Sequence, residues 1–250
     1  MNPGQRKPDN RICQLARAGK VAFGTYVSQA SWDMMPVLAR TGIDFVRISA
    51  QLTFDAALLS RTMTAAEAVG LSSTVRVSSR PDEIAQAVRL GAQSISVPDI
   101  QDANEARTVV EAVRSAGDAL VWPIGGSDAP VRGALVSLNI ESVEALADVE
   151  EIAGIDGVHM LQCGRTDLAR SFGLPGQGTH PKVLEAEDRI FSAAHRSGKW
   201  VSLHLLPGAA GRGLSGPGWT AQVVTLGSDL TYVAEGLRAH RAALIQLAES

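Results

Sequence analysis

Cysteine is scarce in this chain of 250 residues: Cys13 and Cys163 stand far apart. Two such residues make neither a disulfide framework nor a cysteine metal cluster. Excess positive charge is missing too, with 23 Lys+Arg against 26 Asp+Glu and a net charge of −3. A nucleic-acid binder needs a basic footprint, so that class is set aside. No apolar run reaches membrane-spanning length. The opening "MNPGQRKPDNRICQLARAGK" lacks the apolar core of a signal peptide. A soluble, cytoplasmic protein with no nucleic-acid or membrane partner is expected. One further lack is local. The stretch "FVRISAQLTF" (45–54) starts apolar and ends in Ser49, Gln51 and Thr53, none of which titrates near neutral pH.

What the chain does have is alternation. Short apolar runs read as strands: "KVAFGTY" (20–26), "DFVRIS" (44–49), "SSTVRV" (72–77), "SISVP" (94–98), "RGALVSLNI" (132–140), "GVHMLQC" (157–163), "WVSLHLL" (200–206) and "QVVTL" (222–226). Amphipathic segments such as "PDEIAQAVRLG", "DANEARTVVEAVRSAG" and "SVEALADVEEIAG" lie between them, each ending at or near a glycine, as helices commonly do. Strand–helix alternation with short connections implies parallel strands joined by right-handed crossovers. Eight strands in 250 residues predict an α/β fold of the (β/α)8 TIM-barrel type, one domain over 1–250. Two stretches break the rhythm. An irregular insertion at about 119–133 precedes the fifth barrel strand, and a Gly-rich loop at 207–218 stands where the seventh helix belongs. Five glycines make that loop a poor helix. It is either a plain exposed connector or a flap beside the catalytic face.

In such a barrel the chemistry lies at the C-terminal ends of the strands. That rule selects Arg76 at the end of the third strand, Glu141 after the fifth, Asp167 after the sixth and His204 within the seventh. Two carboxylates on neighbouring strand ends can share one hard divalent cation and leave positions for water and substrate oxygens. Mg²⁺ suits them, and Mn²⁺ or Co²⁺ tolerate the same ligands. A nearby guanidinium would grip a carboxylate or enolate oxygen with its planar fork. Each residue also has a plain structural reading: Glu141 or Asp167 as a helix N-terminal carboxylate, Arg76 as an ion-pair partner.

Several blocks, taken in order, resemble one family. They are "AFGTYVSQASWDMMPVLARTGIDFVRIS", "TVRVSSRPDEIAQAVRLGAQSISVPDIQDANEAR", "LNIES", "GIDGVHMLQCGRTDLARSFGLPGQGTHPKV" and "TLGSDLTYVAEGLRAH". Together they are similar to the HpcH/HpaI aldolase/citrate lyase family, whose best-known members are metal-dependent class II pyruvate aldolases. The likeness runs from about residue 12 to the C-terminus and weakens at 117–133 and 207–221. It implies a (β/α)8 barrel assembled as a homo-oligomer, a trimer or hexamer, with the last helix packed on a neighbouring subunit. It also implies a divalent metal (Mg²⁺, or Mn²⁺/Co²⁺) held by Glu141 and Asp167, and Arg76 as the catalytic arginine. Substrate contacts are implied for Gly164, Arg165, Thr166, Tyr26 and Gln51. The substrate would be a 2-oxo acid or related carboxylate, cleaved through a metal-bound enolate.

The stretch 45–54 departs from that pattern. Family members end the second strand with a block like "I-D-x-E-H", whose Asp and His form the acid–base dyad. Here those positions hold Ser49 and Leu52, and Gln51 replaces the Glu. Loss of a positioned general base typically costs about 10²- to 10⁴-fold. Three accounts follow. The chain is a carbon–carbon lyase, of aldolase or decarboxylase type, whose enolate forms without a strong base. Alternatively another residue, His204 or His159, supplies the base. Or the chain is a non-catalytic aldolase-like protein that keeps the pocket for binding or assembly.

Overall fold

The computed structural model describes residues 10–116, 134–206 and 213–249. The strands are β1 (Ala22–Ser28), β2 (Phe45–Ser49), β3 (Ser72–Arg76), β4 (Ser94–Ile100), β5 (Leu135–Ile140), β6 (Met160–Cys163), β7 (Trp200–Leu205), β8 (Ser215–Gly216) and β9 (Trp219–Ser228). The α-helices are α1 (Arg11–Arg17), α2 (Met35–Ala39), α3 (Ala56–Ala68), α4 (Pro81–Leu90), α5 (Ala103–Ser115), α6 (Val143–Ala147), α7 (Val149–Gly154), α8 (Arg165–Ser171), α9 (Pro181–Arg196) and α10 (Asp229–Glu249). Strands β1 to β7 pair in chain order, β7 pairs with β9, and β9 returns to β1, every one of these pairings parallel. The sheet is therefore a closed eight-stranded barrel ringed by helices, the (β/α)8 fold that the alternation predicts.

The helices start where local chemistry directs. Asp55, Asp102 and Ser142 accept hydrogen bonds from the first-turn N–H groups of α3, α5 and α6. Gly91 ends α4 at φ 109°, a conformation that glycine adopts without steric cost. The apolar faces of α3, α4, α5 and α9 pack on the outer faces of the strands in one continuous core. A second cluster closes the N-terminal end of the barrel. There Ile12, Cys13 and Ala16 of α1 cover Phe45, Leu135, Met160, Trp200 and Val223. Gly24 makes room for that plug, since a Cβ there would lie 2.4 Å from the Phe45 carbonyl oxygen.

Above the plug the interior turns polar. Gln162, Ser202 and Ser96 all reach Arg47 across the barrel, so these positions face inward. Strand alternation then turns Ser49, Gly164 and His204 inward as well, each two residues further along its strand line. Register matches Ser49 with Arg76, Arg76 with Ser96, and Ser96 with Ser137. Barrels usually fill this space with branched apolar side chains. Here it holds hydroxyls, amides and a guanidinium.

Some element boundaries differ from the sequence reading. The eighth barrel strand runs from Trp219 rather than 222, because Ser215–Gly216 turns back on it as an antiparallel pair. Gly157 at φ 100° holds a turn, so the sixth strand starts at Met160 instead of 157. The segment read as one helix, "SVEALADVEEIAG", is α6 and α7, divided at Asp148, whose carboxylate accepts from the Ala103 N–H. The insertion at 119–133 and residues 207–212 of the Gly-rich loop lie outside the described residues. Residues 213–218 form no helix.

Candidate functional site

Glu141 follows β5 directly and is buried. It does not cap the next helix; Ser142 does, accepting from the Ala145 N–H. Instead the Glu141 carboxylate accepts from the Asp99 N–H at 2.9 Å and from Asn139 Nδ2 at 3.2 Å. Asp99 donates from a left-handed backbone, φ 55°, a sparsely populated conformation for a residue with a Cβ. Gln101 Nε2 braces it through bonds to the Asp99 carbonyl and carboxylate. Burial raises the Glu141 pKa, opposed by Asn139, Arg76 and the Asp99 N–H, while the charge of Asp167 raises it further. The two acids therefore feel each other, and Arg76 lies within reach of Glu141 electrostatically.

Asp167 sits in the first turn of α8 and is half-exposed, ion-paired with Arg170. The N-cap of α8 is Gly164, which has no side chain with which to cap. A Cβ on Gly164 would lie 2.1 Å from Glu141 Oε1. Only glycine lets that carboxylate pass across the start of α8 toward Asp167. Arg165 pairs with the buried Glu187 at 3.2 Å, and Thr166 is exposed. Arg76 is the last residue of β3; among the described residues its buried Nε has no hydrogen-bond partner and its guanidinium forms no ion pair. The structural ion-pair reading of Arg76 thus finds no partner there. Tyr26 lies on β1 in register with Arg47, and Gln51 lies in the half-exposed loop after β2.

These elements gather Arg76, Glu141, Gly164, Arg165 and Asp167 at one end of the barrel, the C-terminal strand ends. At the tip of β2 Ser49 is exposed, and Leu52 is 95% exposed in the loop beyond it. The two histidines named as substitutes for the missing base separate. His159 precedes β6, at the plugged end, where its Nδ1 accepts from the Val136 N–H at 3.0 Å. His204 faces the barrel interior near the open end, edge-on to Tyr26 with ring centroids 5.1 Å apart.

The residues suit a divalent cation. Glu141 and Asp167 offer hard oxygens, and Asn139 Oδ1, beside Glu141, is buried without a hydrogen-bond partner among the described residues. Among the described residues no group of three or more His, Cys, Asp or Glu side chains could hold a metal. A two-carboxylate centre would thus leave most positions to water and substrate oxygens, as Mg²⁺ prefers.

Arg47 is the residue that the sequence reading missed. It is 1% exposed, and among the described residues its guanidinium meets no carboxylate: Nη1 donates to Gln162 Oε1 at 2.6 Å and to Ser96 Oγ at 3.4 Å, and Nη2 to Ser202 Oγ at 3.3 Å. Its Cζ lies 5.5 Å from the Tyr26 ring centroid. The signal was an arginine in the middle of an apolar strand, which a rule that looks only at strand ends passes over.

Comparison with known proteins defines the class. The HpcH/HpaI aldolase/citrate lyase family matches residues 22–235, and the chain belongs to that family of carbon–carbon lyases. A hydroxypyruvate/pyruvate aldolase of Sagittula stellata is 30% identical over 200 residues, covering 72% of this chain and 76% of the relative. A 2-keto-3-deoxy-L-rhamnonate aldolase of Escherichia coli is 27% identical over 246 residues, covering 91% of this chain and 90% of the relative. A solved HpcH/HpaI family protein from Burkholderia cenocepacia shares the fold at TM-score 0.77 and 24% identity, over 96% of this chain and all of the other.

Proposed function

We propose that this chain is a metal-dependent carbon–carbon lyase acting on a 2-oxo acid or related carboxylate through an enolate, without an acid–base pair at the end of β2. One observation carries the reading. Glu141, held by Asp99 and Asn139 and admitted by Gly164, shares the open end of the barrel with Asp167 and Arg76, where Ser49, Gln51 and Leu52 have no group to move a proton. The aldolase names of the relatives agree with it. Glu141 and Asp167 would hold the cation, which when bound draws electron density from the substrate's oxo group. Arg76 would place its fork on the same oxygen and stabilise the charge that develops there. The N–H groups of the turn at Gly164, Arg165 and Thr166 would receive the substrate carboxylate at the start of α8.

Such a site favours reactions that reach the enolate without proton abstraction. Decarboxylation of oxaloacetate is one, because departure of CO₂ leaves the electron pair behind. We expect Mn²⁺-dependent pyruvate release from oxaloacetate above the free-metal rate, with much slower cleavage of 4-hydroxy-2-oxo acids. Arg76→Lys keeps the charge but loses the planar fork, and should lower decarboxylation at least about tenfold with the fold retained. Wild-type rates in Arg76→Lys would make the arginine structural. Failure to turn over either substrate, with pyruvate still bound, would point to a binding protein.

A further inference from the structure

The site lacks a proton carrier on β2, yet one imidazole faces the same end of the barrel. His204 is two residues beyond Ser202, whose hydroxyl meets Arg47 in the interior, so alternation turns both side chains inward. It stands one residue before the end of β7, on the open side. Tyr26 holds the ring edge-on at an interplanar angle of 68°, and Arg47 in turn lies over the Tyr26 ring. The Nε2 atom is buried and has no hydrogen-bond partner among the described residues. Buried polar atoms are rarely left so, and those that are need a reason. Arg76 ends β3, Glu141 follows β5 and His204 stands near the end of β7, so the imidazole, the guanidinium and the candidate metal carboxylate share the C-terminal strand ends.

Other candidates are committed elsewhere. His159 accepts a backbone bond at the plugged end, His180 caps α9 through Nδ1, His195 lies in the last turn of α9, and His240 is exposed on α10. Asp229, after β9, binds Ser31 Oγ and the Leu230 N–H with its two oxygens.

We propose that His204, held edge-on by Tyr26 near the open end of β7 with its Nε2 unpartnered among the described residues, is the proton-transfer residue of this site, a catalytic residue on β7 in place of one on β2. This rests on the lyase reading above. Burial first, then the charges of Arg47, Arg76 and Arg165, lower its pKa to about 4, so at neutral pH the imidazole is uncharged and its lone pair can accept. A substrate carboxylate entering the site offsets part of that positive field and raises the basicity of the ring. With pyruvate bound, His204 removes a proton from the methyl carbon. The C–H electron pair becomes the C2–C3 double bond, and the carbonyl pair moves onto the oxygen that Arg76 faces. Reversal returns a proton from the ring, which exchanges with solvent. A base this weak is a slow one, so proton transfer through His204 is expected to be slow.

Exchange of the pyruvate methyl protons in D₂O, followed by mass spectrometry with Mn²⁺ present, tests the assignment. His204→Asn is expected to slow exchange by about 10²-fold or more, while oxaloacetate decarboxylation falls far less. Added imidazole should restore exchange to His204→Gly. Equal losses in both reactions without rescue, or exchange that survives in His204→Asn, overturn the role of His204. Wild-type decarboxylation without exchange overturns it too and leaves the lyase reading standing; wild type inert in both assays removes both. In the metal-free protein, the His204 ring followed by nitrogen NMR should titrate well below 6.5 and move upward when oxalate is added. A ring indifferent to oxalate would show that the anion does not reach it.

Discussion

At the scale of single residues the site depends on what is left out as much as on what is present. Gly164 is a gap through which the Glu141 carboxylate passes. Gly164→Ala would put a methyl group onto Oε1, and the carboxylate, tied to Asp99 and Asn139, would have to give up one or both bonds. Because the obstructed atoms are the end of a side chain, the fold should survive, with a stability loss of about 1.5–3 kcal/mol for the broken charged hydrogen bond. Metal affinity is where the loss should appear. Calorimetry with Mn²⁺ is expected to show binding weakened at least about tenfold in Gly164→Ala and lost in Glu141→Ala. Binding equal to wild type in both variants would remove Glu141 from the metal centre. Since burial makes the Glu141 carboxyl hold its proton to higher pH, and a metal must displace that proton, wild-type affinity should climb as pH rises through and above the ordinary carboxylate range.

At the scale of elements, the two ends of the β6–β7 pair put two histidines in different settings. His159, just before β6, accepts from the Val136 N–H only while Nδ1 is unprotonated. Burial, with the nearby charge of Lys199, lowers its pKa to about 4. The unfolded chain, with an ordinary histidine near 6.5, therefore takes up a proton before the folded one does. The stability from keeping this ring neutral is whole above pH 6.5 and is lost as pH falls toward about 4, a contribution on the order of 3 kcal/mol. Asn at this position keeps an acceptor without titrating. Urea unfolding at pH 7.5, 5.5 and 4.5 should show a shallower loss of stability for His159→Asn than for wild type. Parallel slopes would mean that the ring is protonated in the folded state without penalty.

At the scale of the whole molecule, α10 is the element that the barrel does not account for. Leu230, Val233, Leu237 and Leu244 are exposed along it, at spacings of three, four and seven that keep them on one helix face. No helix of the described residues is long and apolar enough to cross a membrane. Such a stripe suits another helix, and a second copy of the chain would supply one. The double variant Leu237→Glu, Leu244→Glu is expected to reduce the solution mass measured by light scattering while leaving far-UV circular dichroism unchanged. Wild type that is already monomeric at micromolar concentration would exclude the assembly.

The amino-acid sequence alone determined the barrel, since short apolar runs alternating with amphipathic helices are local patterns that need no knowledge of distant contacts. It also determined where Arg76, Glu141 and Asp167 fall, because strand ends can be read from the same patterns, and it showed that Ser49, Gln51 and Leu52 bring no base. Tertiary structure alone decided the rest. Arg47 looks like any strand arginine until β4, β6 and β7 close around it with Ser96, Gln162 and Ser202. His159 and His204 are equivalent as letters, yet one lies at the plugged end and the other at the open end. The helix-cap reading of Glu141 fell only when Ser142 took the cap and Asp99, forty-two residues away, supplied an N–H to the Glu141 carboxylate. In each case the deciding contact joins strands remote in sequence, and the shear of a closed barrel, rather than any local propensity, sets which side chains meet.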